Sequence, residues 1–202
     1  AAVSALAPSY FKPKDVATLI DCCAEIASAS PALPFYFYDI PSMTGVGLST
    51  PKFLERAPAK IPNLAGIKFT NVDLVAYQEC LAADGGRFDL PWGVDECLLA
   101  ALALGAEGAV GSTYNFAAPL FQRLLAAFQA GDLATAREEQ RRSVRLVRLL
   151  SGFGYMAAAK ATMGFLGVDV GPPRLPNTRL CPEEASRLRT ELESIDFFGT
   201  CR

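Results

Sequence analysis

The string Gly66-Ile67-Lys68-Phe69-Thr70 sets a lysine at the carboxyl end of a short apolar run. If that run is a buried strand, desolvation disfavours the ammonium and favours the neutral amine, the form that condenses with a carbonyl substrate. A lysine that snorkels out of the strand end is the plainer alternative. The five other lysines, Lys12, Lys14, Lys52, Lys60 and Lys160, end no apolar run. In Phe35-Tyr36-Phe37-Tyr38-Asp39, alternation sends Tyr36 and Tyr38 to one side, so that Tyr38 at the strand end can present its hydroxyl above the sheet for proton relay, or simply pack as core. Trp92-Gly93-Val94-Asp95-Glu96 brings two carboxylates to a strand-to-helix turn. Capping accounts for Asp95 at the N-cap and Glu96 in the first turn, and carboxylates at such a rim also accept hydrogen bonds from a polyhydroxylated substrate. Gly111-Ser112-Thr113-Tyr114-Asn115 supplies hydroxyls after another apolar run, as a cap or as donors to a ligand.

The elements that must position these groups alternate along the chain. Brief apolar runs at 2–7, 33–38, 65–69, 88–92 and 108–111 predict strands, and helical patterns at 14–29, 51–57, 72–83, 95–104 and 118–130 follow them in turn. Strands apolar on both faces, each followed by a helix, specify a parallel sheet covered by helices, an α/β fold. Three further helices are predicted at 133–150, 155–166 and 182–194, set apart by Gly152, Gly154 and the Gly171-Pro172-Pro173 turn. All the candidate groups above then sit at the carboxyl ends of successive parallel strands, where such folds keep their active sites.

Composition narrows the chemistry. The chain has 202 residues, 51% apolar and 20% charged, enough for one compact domain with its own core. No histidine is present, so histidine-ligated metals, imidazole bases and serine triads are excluded. The formal net charge of −2 offers no field for nucleic acid, and the arginines between Arg137 and Arg148 are interleaved with Val144, Leu146 and Val147 at helical spacing, as on a solvated helix face. Cys22, Cys23, Cys80, Cys97, Cys181 and Cys201 show no paired rhythm and read as reduced thiols, with one of the Cys22-Cys23 pair packed inward. The apolar stretches are too short to span a membrane, and a cytoplasmic protein is expected.

In this order, Tyr38-Asp39-Ile40-Pro41-Ser42-Met43-Thr44-Gly45-Val46, Gly66-Ile67-Lys68-Phe69-Thr70, Gly93-Val94-Asp95-Glu96 and Gly111-Ser112-Thr113-Tyr114-Asn115 resemble the N-acetylneuraminate lyases. These belong to the pyruvate-dependent class I aldolases that include dihydrodipicolinate synthase. The resemblance runs from about Val3 to about Phe198 and takes in Gly171-Pro172-Pro173-Arg174-Leu175-Pro176. It implies a (β/α)8 barrel with extra C-terminal helices, of which this sequence would supply strands 4 to 8: a single domain over 1–202, with βα units over 1–131 and C-terminal helices over 132–202. It implies Lys68 as the Schiff-base lysine and Tyr38 as the proton-relaying tyrosine. Thr70, Gly93, Asp95, Glu96 and Ser112 match positions that contact the sugar chain, and Tyr10 a tyrosine near the site or a subunit contact. The implied reaction is retro-aldol cleavage of N-acetylneuraminate to N-acetylmannosamine and pyruvate, with no metal or organic cofactor, in a homotetramer with no nucleic-acid or membrane partner.

Three departures qualify the resemblance. Ser42-Met43-Thr44-Gly45 lacks the arginine of the synthases' Gly-Arg-Thr-Gly, which favours the lyase pattern. Asp39 stands where relatives often have Asn or His, a change expected to alter the charge of the pocket. The family's first three strands, with the Gly-Ser/Thr-Thr-Gly-Glu loop for the pyruvate carboxylate, have no counterpart. A molecule of this extent alone is expected to leave its barrel open with little activity; alternatives are a non-catalytic form pairing with full-length subunits and a sister aldolase for another 2-keto acid.

Overall fold

A computed structural model describes residues 1–200; Cys201 lies outside the described residues. The chain divides into two compact units, one formed by 1–94 and 100–110, the other by 95–99 and 111–202.

The first unit is built on a three-stranded parallel sheet in the order β1 (Val3–Leu6), β2 (Phe35–Asp39), β3 (Leu64–Phe69). Each strand is a short run of apolar and aromatic residues that loses little by extending. Helix α1 (Val16–Ser28) starts where Asp15 accepts the Thr18 N–H at 2.8 Å, and it buries Val16, Leu19, Ile20, Cys23 and Ala27 at helical spacing. Cys23 is thus the inward member of its pair, and burial pushes its thiol up to about 12. After β2 come two short helices, α2 (Pro41–Thr44) and α3 (Thr50–Arg56), and α4 (Leu74–Ala82) follows β3. Phe37 packs on Phe53 of α3 at 4.7 Å between ring centroids. Phe69, Tyr77 of α4 and Trp92 meet one another at 4.9 to 5.9 Å, all fully buried. Each such side chain contributes about 1.5–3 kcal/mol of burial.

Several expectations need correcting. The runs 88–92 and 108–111 are not strands but single parallel bridges, Gly66 with Asp89, Phe69 with Trp92, and Trp92 with Ala109. Pro91 removes a donor, and Gly93 and Gly108 weaken the ladder on either side. Nor is β1 apolar on both faces: it alternates half-buried with exposed, and Leu6 is 47% exposed. The Pro41 helix was not anticipated, because its Pro-Ser-Met-Thr sequence reads as a turn.

The second unit opens with a 3-10 turn at Asp95–Cys97 in place of the α-helix expected at 95–104; the regular helix α5 covers only Leu98–Ala103, its residues from 100 on belonging to the first unit. Helix α6 (Tyr114–Gln129) starts a turn earlier than its apolar pattern suggests and kinks at Ala117, just before Pro119. Helix α7 (Leu133–Gly152) buries Ala136, Glu139, Ser143, Leu146 and Leu150 as one stripe, while Arg141 pairs outward with Glu138 at 2.6 Å. Glu139 takes ion pairs from Arg123 at 3.0 Å and Arg142 at 3.3 Å. Helices α8 (Tyr155–Phe165), α9 (Pro182–Ser194) and α10 (Phe197–Thr200) complete it. Among the described residues no helix is long and apolar enough to cross a membrane.

Candidate active site

The register between β2 and β3 decides which side chains meet. Tyr36 is aligned with Gly66, Phe37 with Ile67, Tyr38 with Lys68 and Asp39 with Phe69. Aligned residues of parallel neighbours project to the same face, so Tyr38 and Lys68 share one face and Asp39 shares the other with Phe35 and Phe37. Lys68 Nζ stands 3.9 Å from the centroid of the Tyr38 ring, within cation–π range. Both residues are half-buried. Below them, Tyr36 donates to Asp89 at 2.7 Å, and burial with that carboxylate pushes the phenol up to about 12.

Thr70 and Gly93 come together directly after this pair. Gly93 N donates to the Phe69 carbonyl at 2.8 Å, and a Cβ on Gly93 would lie 2.9 Å from Thr70 Cβ, so only glycine lets the segments approach this closely. The Thr70 hydroxyl is buried without a protein hydrogen-bond partner. A buried hydroxyl left unsatisfied two residues beyond Lys68 is suited to bonding a ligand.

Asp39, expected to alter the charge of the pocket, projects from the other face of the sheet. It is 3% exposed, on the face away from Tyr38. Burial, with Asp73 nearby, pushes its carboxyl up to about 6 against a hydrogen bond from Asn71 that favours the ion.

The remaining candidates lie in the second unit. Asp95 is buried in the turn that opens this unit. Its carboxylate accepts the Thr113 N–H at 3.2 Å and the Thr113 hydroxyl, while its carbonyl accepts from Gln140 Nε2 at 3.1 Å and Ser143 Oγ at 3.0 Å. Gln140 also accepts the Leu99 N–H at 2.8 Å, so α7 clasps both ends of the turn that carries Asp95 and Glu96. Glu96 is half-buried and Ser112 exposed. Ser112 Oγ and the Tyr155 hydroxyl are 2.6 Å apart, and Tyr155 is pushed up to about 12 by burial, with Asp95 and Glu96 adding to the shift. Tyr114 is raised by burial and by Asp95. These hydroxyls stay protonated at neutral pH beside two carboxylates, a donor and acceptor set suited to a polyol.

Tyr10, by contrast, joins neither cluster: it is 88% exposed and meets Phe11 edge-on at 4.8 Å. Sequence reasoning missed Tyr155, Gln140, Ser143 and Asn71. Gln140 and Ser143 carry a signal, polar residues one turn apart on the core side of a helix; Tyr155 and Asn71 carry none. Among the described residues no group of three or more cysteine or carboxylate side chains is placed to hold a metal ion.

A parallel three-stranded sheet with helices after its strands defines an α/β protein. The chain matches the dihydrodipicolinate synthetase family over residues 1–195 and belongs to that family. It is 39% identical over 201 residues to the N-acetylneuraminate lyase of Mus musculus, a match covering 98% of this chain and 63% of the mouse protein. The structure resembles the N-acetylneuraminate lyase (sialic acid aldolase) of Aliivibrio salmonicida with a TM-score of 0.93 at 43% identity, over 97% of this chain and 65% of that one. Against dihydrodipicolinate synthase from Cyanidioschyzon merolae the TM-score is 0.83 at 28% identity, over 96% and 65% of the two chains. The chain thus spans about 63% of the length of the curated relative compared.

Proposed function

We propose that this chain carries the imine-forming part of a Schiff-base aldolase that cleaves N-acetylneuraminate to N-acetylmannosamine and pyruvate. The observation that carries the reading is Lys68 Nζ 3.9 Å from the Tyr38 ring on aligned strands, in a chain 39% and 43% identical to two lyases of that name. The Lys68 amine adds to the 2-keto carbon of the open-chain sugar acid and water leaves, giving a protonated imine. Loss of the proton from the C4 hydroxyl breaks the C3–C4 bond, whose electron pair passes into the imine to form an enamine, and the aldehyde sugar departs. Protonation at C3 and addition of water release pyruvate and restore the amine. Tyr38, beside the amine, is assigned the proton relay.

The hydroxyl of Thr70, with Gly93 making room for it, and the Asp95, Glu96, Ser112 set are assigned to the sugar chain. Tyr10 is assigned to the rim of the site or a subunit contact. Strands β1 to β3 and the bridged segments correspond in this reading to strands 4 to 8 of a (β/α)8 barrel. The reading takes 1–202 as one barrel-type domain with its βα units before 132 and helices after it. A cytoplasmic homotetramer acting on a small-molecule substrate completes the proposal.

The test is pyruvate release from N-acetylneuraminate. Release from the chain alone is expected to be low, as an open barrel implies, and Lys68→Ala is expected to abolish it. Measurable release that Lys68→Ala retains would refute the assignment.

A further inference from the structure

Asp39 is buried, unused by the reaction as drawn, and bonded in a way that bears on the reacting pair. Its carbonyl accepts the Thr70 N–H at 2.8 Å, and its carboxylate accepts from Asn71 Nδ2 at 3.1 Å. Asn71 is held at its other end, where its amide oxygen accepts the Asp73 N–H at 3.1 Å. Asp73 in turn caps α4 by accepting the Ala76 N–H at 2.9 Å. The Asn71 amide is therefore fully oriented, donating to β2 and accepting from the start of α4. Two bonds from one residue tie the end of β2 to the turn after β3, one residue beyond Tyr38 and two beyond Lys68.

From this we infer that Asp39 is a positioning residue: its carboxylate, through Asn71, locks β2 to the β3–α4 turn and so holds the Tyr38 ring beneath the Lys68 amine. It touches neither the amine nor the phenol, since it projects from the opposite face. A carboxylate is not required by this geometry. An amide oxygen at the same place accepts the same Asn71 N–H, whereas alanine removes the acceptor and leaves Asn71 Nδ2 unbonded.

The claim separates from simple structural support by rescue and by spectroscopy. In the whole chain, Lys68 εCH2 protons above a phenol ring carry an upfield ring-current shift in the NMR spectrum. That shift is expected to persist in Asp39→Asn and to collapse in Asp39→Ala and Asn71→Ala, with the far-UV spectrum unchanged in the variant read. Retention of the shift in a folded Asp39→Ala, or its loss in Asp39→Asn, would overturn the inference. The second arm rests on the imine reading proposed above. Borohydride trapping of pyruvate is expected within about twofold of the parent rate for Asp39→Asn and about ten- to a hundredfold slower for Asn71→Ala, the scale of a misplaced reacting group. Undiminished trapping in Asn71→Ala would also overturn it. If no variant, parent included, traps pyruvate, the imine reading fails while the ring-current arm still decides the role of Asp39.

Discussion

Replacing Asp39 by asparagine should stabilise the first unit, and by an amount that depends on pH. The carboxyl titrates near 6 in the folded chain against an ordinary 3.8, because burial and Asp73 penalise its charge more than Asn71 relieves it. Cys80, the other titratable group of α4 that senses Asp39, has its own thiol pushed up to about 11 by burial and so stays neutral. A carboxyl whose folded value is raised binds a proton in the native state that the unfolded chain releases, so its contribution falls as pH rises from about 4 to 6 and stays low above that. The gap between 3.8 and about 6 corresponds to about 3 kcal/mol at pH 8, shrinking to about 1 kcal/mol at pH 4.5, where the native carboxyl is mostly protonated. Asparagine keeps an acceptor for Asn71 and has nothing to titrate. Urea unfolding followed by the fluorescence of Trp92, the one tryptophan and a buried residue of this unit, reads the difference. Asp39→Asn should gain about 2 kcal/mol more over the parent at pH 8 than at pH 4.5, the groups common to both chains cancelling. An advantage independent of pH, or one that grows on acidification, would refute the reasoning.

Other expectations follow from the same geometry. Gly93→Ala, whose new Cβ would press on Thr70, should cost about 1–3 kcal/mol in urea unfolding and weaken sugar binding. Tyr155→Phe removes the partner of Ser112 and should cost about 0.5–1.5 kcal/mol of stability, with KM for N-acetylneuraminate rising and kcat little changed. Glu139→Leu strips Arg123 and Arg142 of their shared buried carboxylate, and thermal unfolding of the second unit should fall by several degrees. In the folded chain iodoacetamide should label exposed Cys181 well before buried Cys23 and Cys80, as peptide mass mapping would show.

What could be read from the residues alone divides by range. Strands β2 and β3 were legible because their aromatic and aliphatic runs end sharply, and so was the candidate pair, Lys68 and Tyr38, since each closes such a run. Their adjacency was not, because register depends on a partner strand about 30 residues away and includes a shift at Phe35. Asp39 was expected to alter the charge of the pocket, and alternation along β2 turns its side chain to the face opposite Tyr38. Asp95 could be read from its neighbours as a cap or as a carboxylate for a ligand, but they gave no sign that its carboxylate accepts from Thr113, 18 residues on, and its carbonyl from Gln140 and Ser143 of α7. Local pattern chooses caps well only when no tertiary partner competes for the same oxygen. The runs at 88–92 and 108–111 are apolar enough for strands yet form single bridges, because Pro91 has no N–H to give the ladder beside β3.

The central claim is that Lys68 forms an imine with a 2-keto acid. Sodium borohydride added to the chain with pyruvate, followed by peptide mass mapping, tests it directly. The account predicts one reduced adduct, on the peptide carrying Lys68, absent without pyruvate. An adduct on any of the other five lysines, or none at all, would contradict it.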